Sequence, residues 1–90
     1  MKIIFRGHAV RRMFERAVSL DEVRTVLADG ETIEEYVDVM TYMSRLVFGW
    51  VDGRPLHVVA ADNKVDDETI VVTAYEPDPA AWDEDFLRRK

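Results

Sequence analysis

Apolar and polar positions near the start of the chain follow first a strand pattern and then a helical one. Residues 2–6 form a short run of β-favouring residues, and Gly7 then breaks that pattern. The next apolar residues recur at the i, i+3, i+4, i+7 spacing of a buried helical stripe: Val10, Met13, Phe14 and Ala17. This spacing predicts a first helix whose opposite, polar face carries His8, Arg11, Arg12, Glu15 and Arg16.

A second helix is predicted to begin at the next capping signal. Ser19 and Glu22 have the spacing of a capping box, and Val18 and Val23 stand where a hydrophobic staple closes the same helix start. We expect this helix to bury the apolar residues at helical spacing: Leu20, Val23, Val26 and Leu27. Gly30 is predicted to end the helix in the left-handed conformation that commonly terminates helices.

From residue 31 onward the apolar period changes to two, which is typical of strands. Four runs rich in β-branched and aromatic residues are predicted as strands, at residues 32–37, 45–51, 55–61 and 69–76. Asp52-Gly53 separates the middle two runs and favours a type I′ hairpin, because both central positions of that turn need positive φ. Residues 62–68 are acidic and polar, and we expect them to form a solvated loop between the last two strands.

The end of the chain carries signals for a short terminal helix. Asp78 is a suitable cap, with Pro79 at the first helical position. Trp82 and Phe86 form an i, i+4 apolar pair, and the basic residues 88–90 suit the carboxyl end of a helix. Four aromatic residues could stack bases or form a partner surface, but in so small a domain we expect them to serve as core: Trp50, Trp82, Phe48 and Tyr42.

Length and composition agree with one folded domain. The chain has 90 residues, of which 48% are hydrophobic and 33% charged, the balance of an ordinary globular protein. Residues 1–90 are therefore predicted to form a single α+β domain in the order β, α, α, β, β, β, β and a short C-terminal helix. The two N-terminal helices are expected to pack on an antiparallel sheet.

The absence of cysteine excludes a disulfide framework and a thiolate metal site. A reducing cytoplasm is the predicted location. Residues 1–10 contain no apolar run of signal-peptide length, and the sequence has no stretch of ~18 consecutive apolar residues for a membrane span. Secretory and membrane roles are therefore not expected.

The net charge of −6 hides an asymmetry along the chain. Residues 1–16 contain five basic residues against Glu15, a net of +4, which leaves −10 for the remaining residues. A net negative charge disfavours general affinity for phosphate backbones, because such binding depends on lysine and arginine displacing counterions. One end of the chain is therefore basic and the rest is acidic.

The residues give little support for a metal site or a cofactor. The two histidines lie 49 residues apart, and neither has a second histidine at i+3 or i+4. The acidic residues 62–68 lack the spacing and the glycine of a calcium loop, and phosphate-loop and dinucleotide motifs are absent. We predict that the protein uses no metal and no cofactor.

A first candidate set for chemistry lies on the predicted first helix. His8, Arg12 and Arg16 are spaced by four and so share one helical face. Guanidinium groups bind phosphate bidentately, and a histidine can pass a proton to a leaving oxygen. The alternative is that His8 caps or precedes the helix and the arginines pair with Glu15 or with acidic strand residues.

A second candidate set lies on the predicted sheet. Strand alternation places His57 opposite to its apolar neighbours and lets it share an open face with Thr73 and Tyr75. Arg54 begins the strand of the histidine, and Arg45 begins the strand before it. Such a surface suits RNA cleavage, with a base near the 2′-hydroxyl and cations holding the phosphate. The alternative is a half-buried histidine and tyrosine that simply hydrogen-bond their neighbours.

The sequence resembles the DUF4258 family of small bacterial proteins over its whole length. The matching motifs are Gly30 and residues 5–9, 12–13, 15–16, 19–23, 45–47, 53–59 and 73–77. The resemblance implies a fold like that of the RelE and ParE toxins. It also implies a role as the toxin of a bacterial toxin–antitoxin pair, similar to the motility quorum-sensing regulator toxins, whose antitoxin contains a zinc-finger segment.

The ribonuclease members of that fold cleave RNA without a metal, using basic and aromatic residues on the sheet. On that pattern the resemblance implies a sheet-borne set of Arg45, Arg54, His57 and Tyr75, and a helical set of His8, Arg12 and Arg16. The expected function is a metal-independent endoribonuclease, with RNA and a cognate antitoxin as partners. The alternative is a non-catalytic protein-interaction module, because ribonuclease toxins of this fold tend to be basic whereas this chain has a pI near 4.8.

Overall fold

A computed structural model describes residues 2–36 and 43–90. Two helices and five strands follow each other along the chain, so the fold class is α+β as predicted. The elements are β1 (Lys2–Phe5), α1 (Gly7–Glu15), α2 (Leu20–Asp29), β2 (Glu31–Tyr36), β3 (Met43–Val51), β4 (Arg54–Asn63) and β5 (Glu68–Tyr75). Two sequence predictions, the strand position of Val37 and the core position of Tyr42, lie outside the described residues. Phe48 and Trp82 are buried as predicted, but the core position of Trp50 is wrong, because Trp50 lies near the end of β3 and is 54% exposed.

The five strands form one mixed sheet in the order β1-β5-β4-β3-β2. Neighbouring strands from β2 to β5 are antiparallel, whereas β1 runs parallel to β5. The prediction of an antiparallel sheet is therefore wrong at this edge. The two helices carry the chain from β1 at one edge to β2 at the other, and the antiparallel succession then returns β5 beside β1.

Helix α1 buries Ala9 and Met13 against the sheet, and Val18 joins them just after the helix. The predicted stripe is wrong, because Phe14 is 86% exposed and Val10 is 40% exposed. Ala17 has a positive φ of 55°, so the chain leaves the helical path before the stripe can be completed. The turn places Val18 N within 2.8 Å of the Met13 carbonyl oxygen, which sets the buried side of the helix.

Helix α2 begins at the predicted capping box. The Ser19 hydroxyl accepts from Glu22 N at 3.0 Å, and Ser19 N donates to the Glu22 carboxylate at 2.9 Å. Val23, Val26 and Leu27 are buried against β3 and β4, as predicted. Leu20 is 39% exposed, against prediction, because it lies at the first helical position, before the buried stretch.

Gly30 ends α2 for a different reason from the predicted one. Its φ is −79°, which is not left-handed. A Cβ atom at Gly30 would lie 2.5 Å from the carbonyl oxygens of both Val26 and Phe48. Only a glycine allows α2 and β3 to approach this closely.

The β3–β4 and β4–β5 hairpins are at the predicted positions. Asp52 and Gly53 have φ values of 52° and 79°, as the type I′ turn requires, and the flanking residues of β3 and β4 pair. The second hairpin is tighter than expected, because Asn63 pairs with Glu68 and only residues 64–67 form its turn. Asp62 therefore belongs to a strand and not to the predicted solvated loop.

Residues 77–90, which we call the C-terminal cover, do not form the predicted helix. Asp78 caps a single turn, in which Ala80 N donates to its carboxylate at 2.9 Å. The chain then reverses at Phe86, whose φ is 61°, and returns to form an antiparallel bridge between Trp82 and Arg89. Tertiary packing overrides the local helix signals here. Burial of Trp82 against the sheet stabilises the observed fold of this segment more than a continuous, largely exposed helix would be stabilised. Neither described helix has the length and apolar character needed to cross a membrane.

Candidate functional site

The two faces of the sheet are covered by different parts of the chain. Leu56, Val58 and Ala60 of β4 point to the face on which α1 and α2 pack. His57 points to the other face, as strand alternation predicts, and there it lies beneath the C-terminal cover. The C-terminal cover therefore shields the centre of this second face, around His57, from solvent.

His57 is enclosed by aromatic rings and has no exposed surface. The ring of Trp82 lies 4.3 Å from the imidazole centroid, Tyr75 lies at 5.4 Å and Phe48 at 5.6 Å, all edge to face. Each ring nitrogen has one polar neighbour. Nε2 lies 2.9 Å from the Phe86 carbonyl oxygen, and Nδ1 lies 3.4 Å from the Tyr75 hydroxyl.

These contacts define which nitrogen of His57 carries the proton. A carbonyl oxygen can only accept, so Nε2 must donate to Phe86. Nδ1 is then the acceptor in the neutral ring, and the Tyr75 hydroxyl donates to it. Burial lowers the pKa of His57, with the Phe86 carbonyl acting against that effect, and burial raises the pKa of Tyr75. Both groups are therefore neutral at neutral pH.

Arg16 reaches the same region from the carboxyl end of α1. Its Nη1 donates to the Thr73 hydroxyl at 3.0 Å and to the Ala74 carbonyl at 3.1 Å. The parallel pairing of β1 stops at Val71, which leaves the end of β5 open to this side chain. Thr73 pairs with Val59 and, two residues later, Tyr75 pairs with His57, so both side chains lie on the covered face. We call Arg16, Thr73, Tyr75 and His57 the edge cluster.

His8 and Arg12 do not join the edge cluster. Both are exposed on α1, which packs on the face opposite to His57, so the two histidines lie on different sides of the sheet. Arg12 Nη1 lies 3.9 Å from the Glu15 carboxylate, the ion pair that the alternative interpretation expected. His8 makes no hydrogen bond or ion pair with the described part of the chain. With Arg6 it borders a groove of about 290 Å³ whose floor includes Ile70.

Arg54 is engaged by the protein itself. Its Nη groups donate to the carbonyl oxygens of Ala17 at 2.7 Å and Arg16 at 3.0 Å. Its guanidinium also pairs with Glu22 at 3.4 Å and with Glu76 at 3.2 Å. Arg54 thus ties the turn after α1 to β4 and supports the backbone that carries the Arg16 side chain.

Arg45 lies away from the edge cluster, on the helix-covered side of the sheet. Its Nε donates to the Asp62 carboxylate at 2.9 Å, and its Nη1 lies 3.5 Å from the Thr32 hydroxyl. The Thr69 hydroxyl donates to the same carboxylate at 2.9 Å. Of the four predicted sheet residues, the structure brings together His57 and Tyr75.

Sequence reasoning missed the residues that close the site. Arg89 of the cover donates to the Glu34 carboxylate from Nε at 3.1 Å and from Nη2 at 3.2 Å, and Tyr36 donates to the same group. The Arg89 guanidinium also lies 4.8 Å from the ring centre of Trp82, which packs on His57. The large aromatic side chains of Trp82 and Phe86 were the available signal that this segment packs on the sheet, but nothing local in sequence links residue 89 to residue 34.

No group of three or more histidine, aspartate or glutamate side chains within residues 2–36 and 43–90 is arranged to hold a metal ion. A family model described as "Domain of unknown function (DUF4258)" matches residues 5–76. The matched region contains all four residues of the edge cluster and ends before the C-terminal cover. No curated protein and no solved structure is significantly similar to the chain.

Proposed function

Since the chain belongs to the DUF4258 family, whose domains have no known function, we propose a function from its own residues. The protein is a metal-independent endoribonuclease that works at the edge cluster and serves as the toxin of a bacterial toxin–antitoxin pair. The observation that carries this proposal is the directed hydrogen bond from Tyr75 to Nδ1 of a neutral, buried His57, with the Arg16 cation on the adjacent Thr73.

The hydrogen-bond direction suits proton removal from an RNA 2′-hydroxyl. The 2′-hydroxyl gives its proton to the Tyr75 oxygen while the Tyr75 proton moves to Nδ1 of His57. The 2′-oxygen forms a bond to phosphorus, the bond from phosphorus to the 5′-oxygen breaks, and that oxygen takes a proton from water. The hydroxide left behind takes back the proton held by His57 through the Tyr75 hydroxyl, so both side chains return to their neutral state. The products are a 2′,3′-cyclic phosphate and a 5′-hydroxyl. The Phe86 carbonyl stabilises the imidazolium that forms, since Nε2 already donates to it.

Arg16 is the residue best placed to hold the reacting phosphate. Its bonds to Thr73 and Ala74 both come from Nη1, and Nε and Nη2 bond to no group in residues 2–36 and 43–90, so that side of the guanidinium suits bidentate phosphate binding. The surrounding N-terminal segment is the basic part of the chain, and the exposed His8 and Arg12 extend that surface along α1. A local basic surface can attract RNA even though the whole protein is acidic.

A second candidate function is a non-catalytic protein-interaction module, and one exposed surface favours it. Phe14 and Val10 lie one turn apart on α1, 86% and 40% exposed, with Arg11 between them in sequence. An exposed aromatic residue beside cations suits a protein partner that offers apolar and acidic groups. Within the toxin proposal this partner is the antitoxin, which the family resemblance suggests carries a zinc-finger segment.

RNA cleavage by the purified full chain tests the proposal. Wild type should cut an unstructured RNA in the presence of a chelator, and Tyr75→Phe should reduce the rate about 100-fold or more, because it removes the proton-accepting hydroxyl. Arg16→Gln should also lose activity, whereas Arg24→Gln, a surface arginine of α2, should retain it. Wild-type protein that is folded and cuts no RNA would overturn the ribonuclease proposal and favour the interaction module. Equal rates for wild type and Tyr75→Phe would overturn the assigned chemistry.

A further inference from the structure

Between His57 and the solvent lies the C-terminal cover, of which the proposed chemistry uses only the Phe86 carbonyl. The C-terminal cover follows the end of the family match at residue 76 and supplies both the Phe86 carbonyl and the Trp82 ring at His57. His57 has no exposed surface because these groups lie over it. The environment of a residue inside the matched region is thus completed by a segment outside it.

Phe86 presents its carbonyl to His57 because the cover reverses direction at this residue. Its φ of 61° lies in the left-handed region, and Phe86 N donates to the Asp83 carbonyl at 2.9 Å. The Asp85 carboxylate accepts from Leu87 N at 3.1 Å on the other side of the turn. These local bonds hold the turn, but they do not attach it to the sheet.

The rings of Trp82 and Phe86 pack on the sheet, and Arg89 adds a polar attachment. Its guanidinium is held between the Glu34 carboxylate of β2 and the ring of Trp82, and its backbone bridges to Trp82. Fixing Arg89 on Glu34 therefore also fixes the ring that packs on His57. Phe86 lies in sequence between Trp82 and Arg89, so the contacts of these two residues also restrict where the Phe86 carbonyl can lie.

We propose that the C-terminal cover sets the tautomer of His57, and that Arg89, acting through Trp82 and Phe86, is the positioning residue that keeps the cover closed on Glu34. With the cover in place, Nε2 carries the proton and Nδ1 faces Tyr75 as an acceptor. With the cover released, water can hydrogen-bond either nitrogen, and His57 no longer holds one tautomer. The use of that tautomer in RNA cleavage rests on the function proposed above, but the tautomer itself does not.

Nitrogen NMR of the full chain with ¹⁵N-labelled histidine tests this device directly. His8→Gln assigns the two rings. In wild type the His57 ring should show the Nε2–H tautomer alone, whereas Arg89→Gln should show exchange between the two tautomers. Reaction of His57 with diethyl pyrocarbonate should become at least 10-fold faster in Arg89→Gln. Arg88→Gln, an exposed neighbour in the same segment, is the matched control and should behave as wild type.

A conservative variant separates positioning from loss of folding. Arg89→Lys keeps a cation that can pair with Glu34 and lie over the Trp82 ring, so it should restore most of the slow reaction and the single tautomer, even if Arg89→Gln folds poorly. An Nδ1–H tautomer in wild type, or an Arg89→Lys protein that reacts as fast as Arg89→Gln, would overturn the proposal. If the wild type fails to cut RNA but Arg89→Gln still frees the ring, the cover inference stands and the ribonuclease proposal fails. If the wild type cuts RNA and Arg89→Gln leaves the tautomer unchanged, the ribonuclease proposal stands and the cover inference fails.

Discussion

The Tyr75 hydroxyl lies 3.4 Å from Nδ1 of His57, and the two residues are directly paired across the antiparallel strands β5 and β4. Their contact is therefore built into the sheet register and does not depend on a flexible loop. The cover supplies the remaining partner of the imidazole at Nε2. A tyrosine that is open on one side and bonded to a buried base on the other is a suitable place for proton transfer.

Stability should depend on pH through His57. Burial lowers its pKa in the folded protein below the ordinary value of 6.5, so the unfolded chain binds more protons as the pH falls through that value. The free energy of unfolding should therefore decrease as the pH is lowered from 7 to about 5. The Ser19 amide lowers the pKa of Glu22 and Arg89 lowers that of Glu34, but these contributions are lost only below about 4.5.

Urea unfolding at several pH values measures this effect. His57→Gln should flatten the dependence between pH 5 and 7, since the titrating group is gone. His8→Gln, which changes an exposed histidine, should keep the wild-type dependence. If the free energy of unfolding of His57→Gln depends on pH as strongly as that of wild type, this result would contradict the burial of a neutral imidazole.

Arg54 should matter to stability far more than an ordinary surface arginine. It donates to the carbonyl oxygens of Ala17 and Arg16 and pairs with two carboxylates, with 26% of its side chain exposed. Hydrogen bonds of this charged kind contribute about 1.5 to 3 kcal/mol, so Arg54→Ala should lower the free energy of unfolding by roughly 2 kcal/mol. Arg24→Ala removes an exposed pair with Asp21 and should cost less than about 0.5 kcal/mol. Chemical denaturation of both variants measures these changes. Equal decreases in the free energy of unfolding would show that Arg54 does not hold the turn after α1 to β4.

Gly30→Ala should destabilise the protein because its Cβ would lie 2.5 Å from two backbone oxygens. Relief requires α2 to move away from β3, and overpacking of this kind typically costs about 1 to 3 kcal/mol. Gly7→Ala is the matched control, since a Cβ there meets nothing within 4 Å and alanine favours the helix. The midpoint temperature of thermal unfolding should be equal to or higher than that of wild type in Gly7→Ala, and lower than that of wild type in Gly30→Ala. The reverse order would contradict the close approach.

The toxin proposal predicts growth arrest of a bacterial host when the wild-type chain is induced. Tyr75→Phe and Arg16→Gln should relieve the arrest at equal soluble yield, because both remove groups of the edge cluster. Arg12→Ala, whose side chain is exposed and lies outside the cluster, should relieve it only in part. Full growth of cells that contain abundant folded wild type would argue against toxicity in that host.

Features set by neighbours in sequence could be predicted, and features set by distant contacts could not. The Ser19–Glu22 capping box and the Asp52-Gly53 turn depend on local backbone chemistry, and both are present. Strand alternation also placed His57 and Tyr75 on one face. Phe14 is exposed because α1 packs on the sheet through Ala9 and Met13, and this orientation is set by tertiary contacts that the spacing of apolar residues does not reveal.

The fold of the C-terminal cover also depends on distant contacts, which its own sequence does not reveal. Its sequence carries sound helix signals, but Arg89 bonds to Glu34, 55 residues earlier, and Trp82 packs on His57. These contacts outweigh local helix preference. Parallel pairing of β1 with β5 is equally non-local, since it depends on the path of both helices across the sheet.

The most direct test of the central claim uses one short RNA and its counterpart with a single 2′-deoxy residue at the cut position. If Tyr75 and His57 activate the 2′-hydroxyl, the purified protein should cut the all-RNA strand to a 2′,3′-cyclic phosphate and a 5′-hydroxyl, and it should leave the deoxy strand intact at that position. Mass spectrometry of the fragments reads both results. Cleavage of the deoxy strand, or a linear phosphate formed without a cyclic intermediate, would contradict the account.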